Sequence, residues 1–267
     1  MNQGHIYCSG HKWSKMVCNA FAEGSGLPLV PAAPLLPGDV FMYGALRGLL
    51  PTLNQAKREG RTWYYADNGY FKSGKTENSY FRITRNALQH DGSGDLPFPR
   101  HLARERWKKL GLQIQPWRRL GAHIIVCPPG RLFGATFGFS ADDWLAQTLA
   151  TLRKHTKREL RVRQKMSWND VKPRMINRPL ADDLQGAWAL VTHSSNSAVE
   201  ALLAGVPVFC TASCGASALA QTDLSLIEAP LIHDNRPHWA AVLASNQWSL
   251  AEMKKGLAWE MLNEIPR

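Results

Sequence analysis

WALVTHSSNSAVEALLAGVPVFC, from Trp188 to Cys210, decides how the rest of the chain is read. The short apolar run Ala189, Leu190 and Val191 suits a buried parallel strand. Six polar residues follow it, from Thr192 to Ser197. An amphipathic segment then runs from Ala198 to Ala204, stops at Gly205, and gives way to a second apolar run, Val206 to Cys210. This is one strand–loop–helix–strand step, with Ser195 or Asn196 placed to cap the helix and Gly205 to end it. Free N–H groups and the helix dipole both favour an anion where such a helix begins. Capping alone accounts for any one of these polar residues, but less easily for six in succession.

Working outward, the same alternation recurs. Upstream, residues 121–130 read as a buried strand halted by Pro-Pro-Gly, and residues 140–155 as a helix opened by Ser140. Residues 158–165 read as a strand that places Arg161, Arg163 and Lys165 on one face by its period of two. A short helix over 180–186 leads into the focal step. Beyond it, residues 224–232 are expected to form a last strand, and helices over 236–244 and 249–263 to close the chain. Nearer the start, residues 5–9 and 39–44 read as strands, and 12–23 and 45–59 as helices. The proline-rich stretch 27–38 can only be a connection. Residues 62–71 form a further strand ending in Asp67-Asn68-Gly69, a turn signal.

The rhythm breaks over 72–110, which combines polar loops, an edge-like strand at 80–85 and a basic run from residue 100. Two runs of alternating strands and helices on either side indicate an α/β chain of doubly wound type. The expected domains are 1–117, with 72–110 as an insertion, and 118–267.

Composition narrows the functions. The 267 residues can bury a full core, and no run of about 18 apolar residues could span a membrane. No secretory signal pattern opens the chain, and the five cysteines form neither a disulfide framework nor a zinc pattern, so a cytoplasmic setting is expected. The net charge of +11 suits a polyanionic partner: nucleic acid, an acidic membrane surface or an acidic glycan. In the insertion, Lys72, Lys75, Arg82, Arg85, Arg104 and Lys108 could follow a nucleic-acid backbone, with Phe71, Tyr80, Phe81 and Trp107 available to stack on bases. Those aromatics could equally anchor the insertion to the core. GxGxxG, GxxxxGK[ST] and an acidic DxD pair after an apolar strand are all absent, which disfavours common dehydrogenases, P-loop proteins and metal-dependent sugar transfer.

The motif S-x-x-x-x-E-A-L-x-x-G-x-P-V, from Ser195 to Val208, resembles the donor-binding lobe of GT-B glycosyltransferases, and the two-part organisation is similar to theirs. The pattern is shared by sugar-nucleotide epimerase-like enzymes, capsule-sugar transferases and phage-encoded transferases. YYADNGYF at 64–71 and FRITRN at 81–86 are similar to segments of phage proteins. One departure stands out: the chain has Arg163-Gln164-Lys165 where capsule-type relatives tend to show lysine-histidine-proline.

The resemblance implies two Rossmann-like lobes with a cleft between them and a nucleotide-sugar donor, taken as UDP-linked. It implies neither a cofactor nor a metal. It places His193, Ser194, Ser195, Asn196 and Ser197 on the donor diphosphate, Glu200 on sugar or ribose hydroxyls, and Arg163 and Lys165 on the phosphates. Such electrostatic stabilisation of a leaving group needs no metal. The acceptor's base is expected in the N-terminal lobe, with Asp67 first, then His11 and Asp39. The leading reading is a sugar transferase acting on hydroxymethylated pyrimidines in phage DNA, the target base being flipped from the stack. The alternatives are a transferase building a surface polysaccharide and a non-catalytic nucleotide- or DNA-binding protein.

Overall fold

The computed structural model describes residues 4–31, 34–74, 76–94, 100–164 and 179–264. The chain divides into two compact units, one of residues 1–90, 94–110 and 241–267 and one of residues 91–93 and 111–240.

The first unit contains, in chain order, β1 (Gly4–Cys8), α1 (Lys12–Ser25), β2 (Leu29–Pro31), β3 (Asp39–Tyr43), α2 (Leu50–Arg58), β4 (Trp63–Asn68), β5 (Tyr80–Arg85) and α3 (Arg100–Leu110). In the second follow β6 (His123–Cys127), α4 (Arg131–Thr136), α5 (Ala141–His155), β7 (Glu159–Val162), α6 (Leu180–Leu184), β8 (Ala187–Thr192), α7 (Ser197–Leu203) and β9 (Val208–Cys210). Helix α8 (Arg236–Ser245) then carries the chain back into the first unit, which ends with β10 (Gln247–Ser249), α9 (Leu250–Lys254) and α10 (Leu257–Glu264).

The first sheet has the order β10-β5-β4-β3-β1-β2. β1 to β4 run parallel, while β5 is antiparallel to both β4 and β10. Successive side chains of its strands point to opposite faces, and both faces are buried. Ile6, Phe41 and Tyr64 point to one face, against α1, α9 and α10; Tyr7, Met42 and Tyr65 point to the other, with Leu49 and Leu53. On the first face Phe21 stacks on Phe41 with centroids 3.8 Å apart, and Trp259 meets Phe21 edge-on at 5.7 Å.

The second sheet, β7-β6-β8-β9, is wholly parallel. Ile124, Val126, Ala189, Val191 and Phe209 form its core with Leu152 of α5 and Ile227. The order across the sheet requires a helix-bearing crossover at each step, consistent with the alternation seen in the sequence.

Three expectations are corrected. Residues 80–85 are an interior strand, since β10 pairs outside them with Trp248 opposite Phe81. Residues 224–226 are a 3₁₀ turn capped by Asp223, whose side chain accepts from the Ser225 N–H, and no strand forms over 224–232. The segment from Ala241 onward, assigned by the sequence to the C-terminal domain, belongs to the first unit: its apolar face covers α1. This last packing is close, because a Cβ at Gly24 of α1 would meet the Met253 carbonyl oxygen at 1.9 Å.

Candidate functional site

In open parallel sheets, ligands gather at the carboxyl ends of the strands. In the second unit that edge is built from β6, β8 and the loop between β8 and α7. Thr192, fully buried, donates from Oγ1 to the Cys127 carbonyl at 2.7 Å and so fastens the end of β8 to the end of β6. The polar loop leaves from this fixed point. Its main chain is held as well, since Ala212 N–H donates to the His193 carbonyl at 2.9 Å. Ser195 acts as the local cap, its Oγ accepting from Ser197 N–H at 3.3 Å. Asn196 stands at the N-cap position in right-handed helical conformation and makes no side-chain cap bond.

His193 is half-buried in an aromatic surround that sequence reading missed. Its ring stacks on Phe139, with centroids 4.6 Å apart and planes 19° apart, and meets Phe133 edge-on at 6.0 Å. Trp144 closes the set at 6.2 Å, with its indole N–H donating to Thr211 Oγ1 at 2.8 Å. His193 Nδ1 lies 3.0 Å from Ser194 Oγ. Burial lowers the imidazole pKa, favouring the neutral ring. The signal available in the sequence was three phenylalanines within seven residues, Phe133, Phe137 and Phe139, just after the Pro-Pro-Gly loop.

Arg163 lies one residue beyond the end of β7, where its N–H continues the ladder by donating to the Val126 carbonyl at 2.9 Å. Its guanidinium is ion-paired with Asp183 of α6, a nearly buried carboxylate that the sequence did not single out. The positive charge still acts on its neighbours. Glu200 reaches the surface, yet desolvation raises its carboxyl pKa, with Arg163 pulling the other way. The buried Cys127 thiol is pushed up to about 11 by desolvation, while Ser197 and Arg163 oppose the shift. Arg163, Asp183, Ser197, Glu200 and Cys127 thus form one electrostatic neighbourhood at this edge. Arg161, by contrast, is spent on Glu159 at the surface, 2.7 Å away. Lys165 lies outside the described residues.

In the first unit, His11 and Asp67 both sit at the carboxyl edge of the parallel strands. His11 follows β1 and caps α1, accepting from Trp13 N–H through Nδ1 at 3.3 Å. Asp67 near the end of β4 is held from three sides. Its Oδ2 accepts from Arg82 Nη2 at 2.9 Å and from the Tyr65 hydroxyl at 3.4 Å, and its Oδ1 from Asn68 N–H at 2.8 Å. Burial, followed by the Asp67 charge, raises the Tyr65 phenol pKa, which keeps that hydroxyl a donor. Asp39 opens β3 opposite Gly4 and therefore lies at the other edge of the sheet. That position removes it as a reserve base.

The basic insertion presents only part of the surface expected of it. Arg82 is 7% exposed and spends its guanidinium on Asp67, the Asn68 carbonyl at 2.9 Å and the Leu88 carbonyl at 3.4 Å. It is an internal clamp and not a phosphate ligand. Phe71 and Phe81 are buried, and Trp107 packs edge-on against Phe71 at 5.3 Å, so these aromatics anchor the insertion. Arg85 is half-buried, while Lys72, Arg104 and Lys108 are exposed, the last two one turn apart on α3. Lys75 lies outside the described residues.

Two open hollows of about 450 and 460 Å³ lie at the amino ends of the strands. One is floored by Trp188 and Arg158, the other by Trp63 and Lys57. Arg158 already stacks on Trp188 at 4.0 Å and Lys57 on Trp63 at 5.0 Å, so the protein's own cations occupy both aromatic faces. Among the described residues no group of three or more His, Cys, Asp or Glu could hold a metal ion, and no helix is long and apolar enough to cross a membrane.

No protein-family model matches the chain. No curated protein matches it either. Solved structures do. One is Thermosulfurimonas dismutans KpsC, beta Kdo 2,4 transferase, with a TM-score of 0.53 at 13% identity, covering 92% of this chain and 91% of that one. Another is KpsC, beta Kdo 2,7 transferase, of the same organism, with a TM-score of 0.54 at 13% identity, covering 97% and 99%. The likeness extends along nearly the whole of each chain, and what it shows is a shared fold, the mixed α/β architecture of GT-B-type glycosyltransferases.

Proposed function

We propose that this chain is a glycosyltransferase that moves a sugar from a nucleotide-sugar donor to a sugar hydroxyl of a surface polysaccharide. The observation that carries the reading is the fold shared, almost end to end, with two proteins named as Kdo transferases. The polar edge of the second unit supports it: Ser194 and Ser195 bring hydroxyls and the loop brings backbone amides, whereas the Ser197 hydroxyl is buried against Cys127, and Arg163 supplies positive charge beside them. In this reading those groups bind the donor's phosphates and stabilise the charge left on them as the glycosidic bond breaks. Asp67, fixed by Arg82 and Tyr65, accepts the proton of the acceptor hydroxyl as its oxygen bonds to the anomeric carbon. His193 and its aromatic neighbours contribute a stacking surface beside the phosphate-binding loop.

DNA is the weaker acceptor. Its case rested on the insertion's cations and aromatics, and Arg82, Phe71 and Phe81 serve the interior. The exposed Lys72, Arg104 and Lys108, with the net charge of +11, suit an acidic glycan equally well.

The test is a transfer assay with uridine- and cytidine-linked sugars, each offered with acidic oligosaccharides, hydroxymethylated DNA or no acceptor. Transfer to the oligosaccharide supports the proposal, transfer to DNA alone would replace the acceptor, and donor binding without turnover in every arm would remove the enzyme reading. Ser195→Ala and Arg163→Ala are expected to weaken donor binding about tenfold each, the loss of one charge-assisted hydrogen bond. Asp67→Asn is expected to leave donor binding intact and lower turnover by at least about a hundredfold. Calorimetry and initial rates separate the two effects, and equal donor affinity in all three variants would overturn the residue assignment.

A further inference from the structure

At the head of the first unit two thiols share one hydroxyl. Ser14 and Cys18 lie four residues apart on α1 and so face the same way, toward the end of β1. There Ser14 Oγ is 3.7 Å from Cys8 Sγ and 3.8 Å from Cys18 Sγ. The same oxygen accepts from Ser9 N–H at 3.1 Å, which leaves its own hydrogen for a sulfur. Ser14 and Cys18 are fully buried, whereas Cys8 is only partly covered. As a thiol, Cys8 donates to the Ser9 carbonyl at 3.3 Å, and Cys18 reaches the Tyr7 carbonyl at 3.9 Å.

We propose that Cys8 and Cys18 are a redox-modifiable pair, in which Cys8 is oxidised by hydrogen peroxide or an organic hydroperoxide and Cys18 resolves it to an intramolecular disulfide. The Cys8 thiolate attacks the peroxide O–O bond; one oxygen stays on sulfur as a sulfenic acid, and the other leaves as water or an alcohol after taking a proton. The Cys18 sulfur then attacks the sulfenic sulfur, the S–S bond forms, and the sulfenic oxygen departs with the Cys18 proton as a second water. Two electrons pass from the dithiol to the peroxide. The proposal is independent of sugar transfer.

The surroundings assign the two roles. Hydrogen bonds from Cys18 and Ser14, with the Lys15 charge nearby, hold the Cys8 pKa down at about 6 against its own burial. The Cys8 contact and burial both raise that of Cys18, which therefore keeps its proton and donates it. The second unit supplies an internal control. Cys210 and Cys214 flank Ser217 Oγ at 3.6 and 4.0 Å in the same way, but they are 2% and 0% exposed, so an oxidant in solution does not reach them. Solvent access, more than thiolate character, distinguishes the pairs.

The experiment uses the full reduced chain. Iodoacetamide labelling at pH 7, followed by peptide mass spectrometry, is expected to modify Cys8 at least about tenfold faster than Cys127, Cys210 or Cys214. Cys8's rate should level off above its titration near pH 6. After peroxide treatment and blocking of remaining thiols, unreduced digests should contain a Cys8–Cys18 cross-linked peptide. In Cys18→Ser, dimedone should trap the sulfenic acid on Cys8. The labelling arm needs no substitution, so it stands even where a variant misfolds. Cys8 labelling no faster than the buried thiols, or peroxide leaving the unmodified protein without the cross-link, overturns the proposal.

Discussion

Arg82 and Asp67 show what a single side chain's surroundings can reverse. In the sequence Arg82 is one more cation in a basic stretch, and Asp67 one more acid before an Asn-Gly turn. In the folded chain they are partners at 2.9 Å, with 9% and 30% of their side chains exposed. Removing one member of a well-covered pair leaves the other charge and its carbonyl partners uncompensated. Arg82→Met is therefore expected to cost about 3 kcal/mol in urea unfolding, whereas Arg104→Met on the exposed face of α3 should change stability by less than about 0.5 kcal/mol. His193 makes a pH prediction at the same scale. Burial lowers its pKa below the ordinary 6.5, so the unfolded chain takes up the proton first as pH falls. Its contribution to stability is present above pH 6.5 and is lost as pH drops toward the folded value. His193→Phe should flatten the fall in Tm between pH 7 and pH 5, measured by scanning calorimetry. No change in that slope would show the imidazole to be indifferent to its aromatic neighbours.

At the scale of elements, glycines and caps set where strands and helices stop. Gly205 was legible as the end of α7 because a helix needs a left-handed residue there, and its φ is +76°. What the sequence could not show is that a Cβ at this position would meet the Pro116 carbonyl oxygen at 2.0 Å. Gly138 has a similar φ of +79° and nothing within 4 Å. Gly138→Ala should thus cost about 1 kcal/mol from backbone strain alone, and Gly205→Ala about 3 kcal/mol or more once Pro116 is displaced. Thermal unfolding of the two variants side by side tests this. Ser140 was likewise readable as the cap of α5, and its Oγ accepts from Asp143 N–H at 3.1 Å. Strand β10 escaped notice because it is three residues long, Gln247 to Ser249, and lies between helical stretches. Its pairing with β5 is a long-range contact that local periodicity does not encode. The capping box that follows, where Ser249 and Glu252 satisfy each other's backbone N–H groups, has the expected Ser-x-x-Glu spacing.

On the scale of the whole molecule, the last residues decide how the first unit is finished. Residues 241–267 return to it, and α9 and α10 cover the apolar face of α1. Ending the chain at Ala240 should strip that cover from Phe21 and Phe41, raising dye binding to exposed apolar surface and removing the cooperative unfolding of the first unit. An unchanged transition would show the segment to be dispensable. The chain matches Kdo transferase structures at 13% identity, and nothing at family level, because a fold constrains the pattern of apolar and polar positions far more than residue identity. The sequence by itself determined the alternating α/β order, the strand–loop–helix step at Trp188–Cys210, its glycine stop and the polar loop, since each follows from periodicity and backbone preference within a few residues. Only the tertiary structure decided that Arg82 clamps Asp67, that Asp183 holds Arg163, that His193 sits among Phe133, Phe139 and Trp144, and that Cys8 faces Cys18 across Ser14. These are relations between side chains brought together by sheet order and burial, and the energy that selects them is spent on contacts between residues remote along the chain.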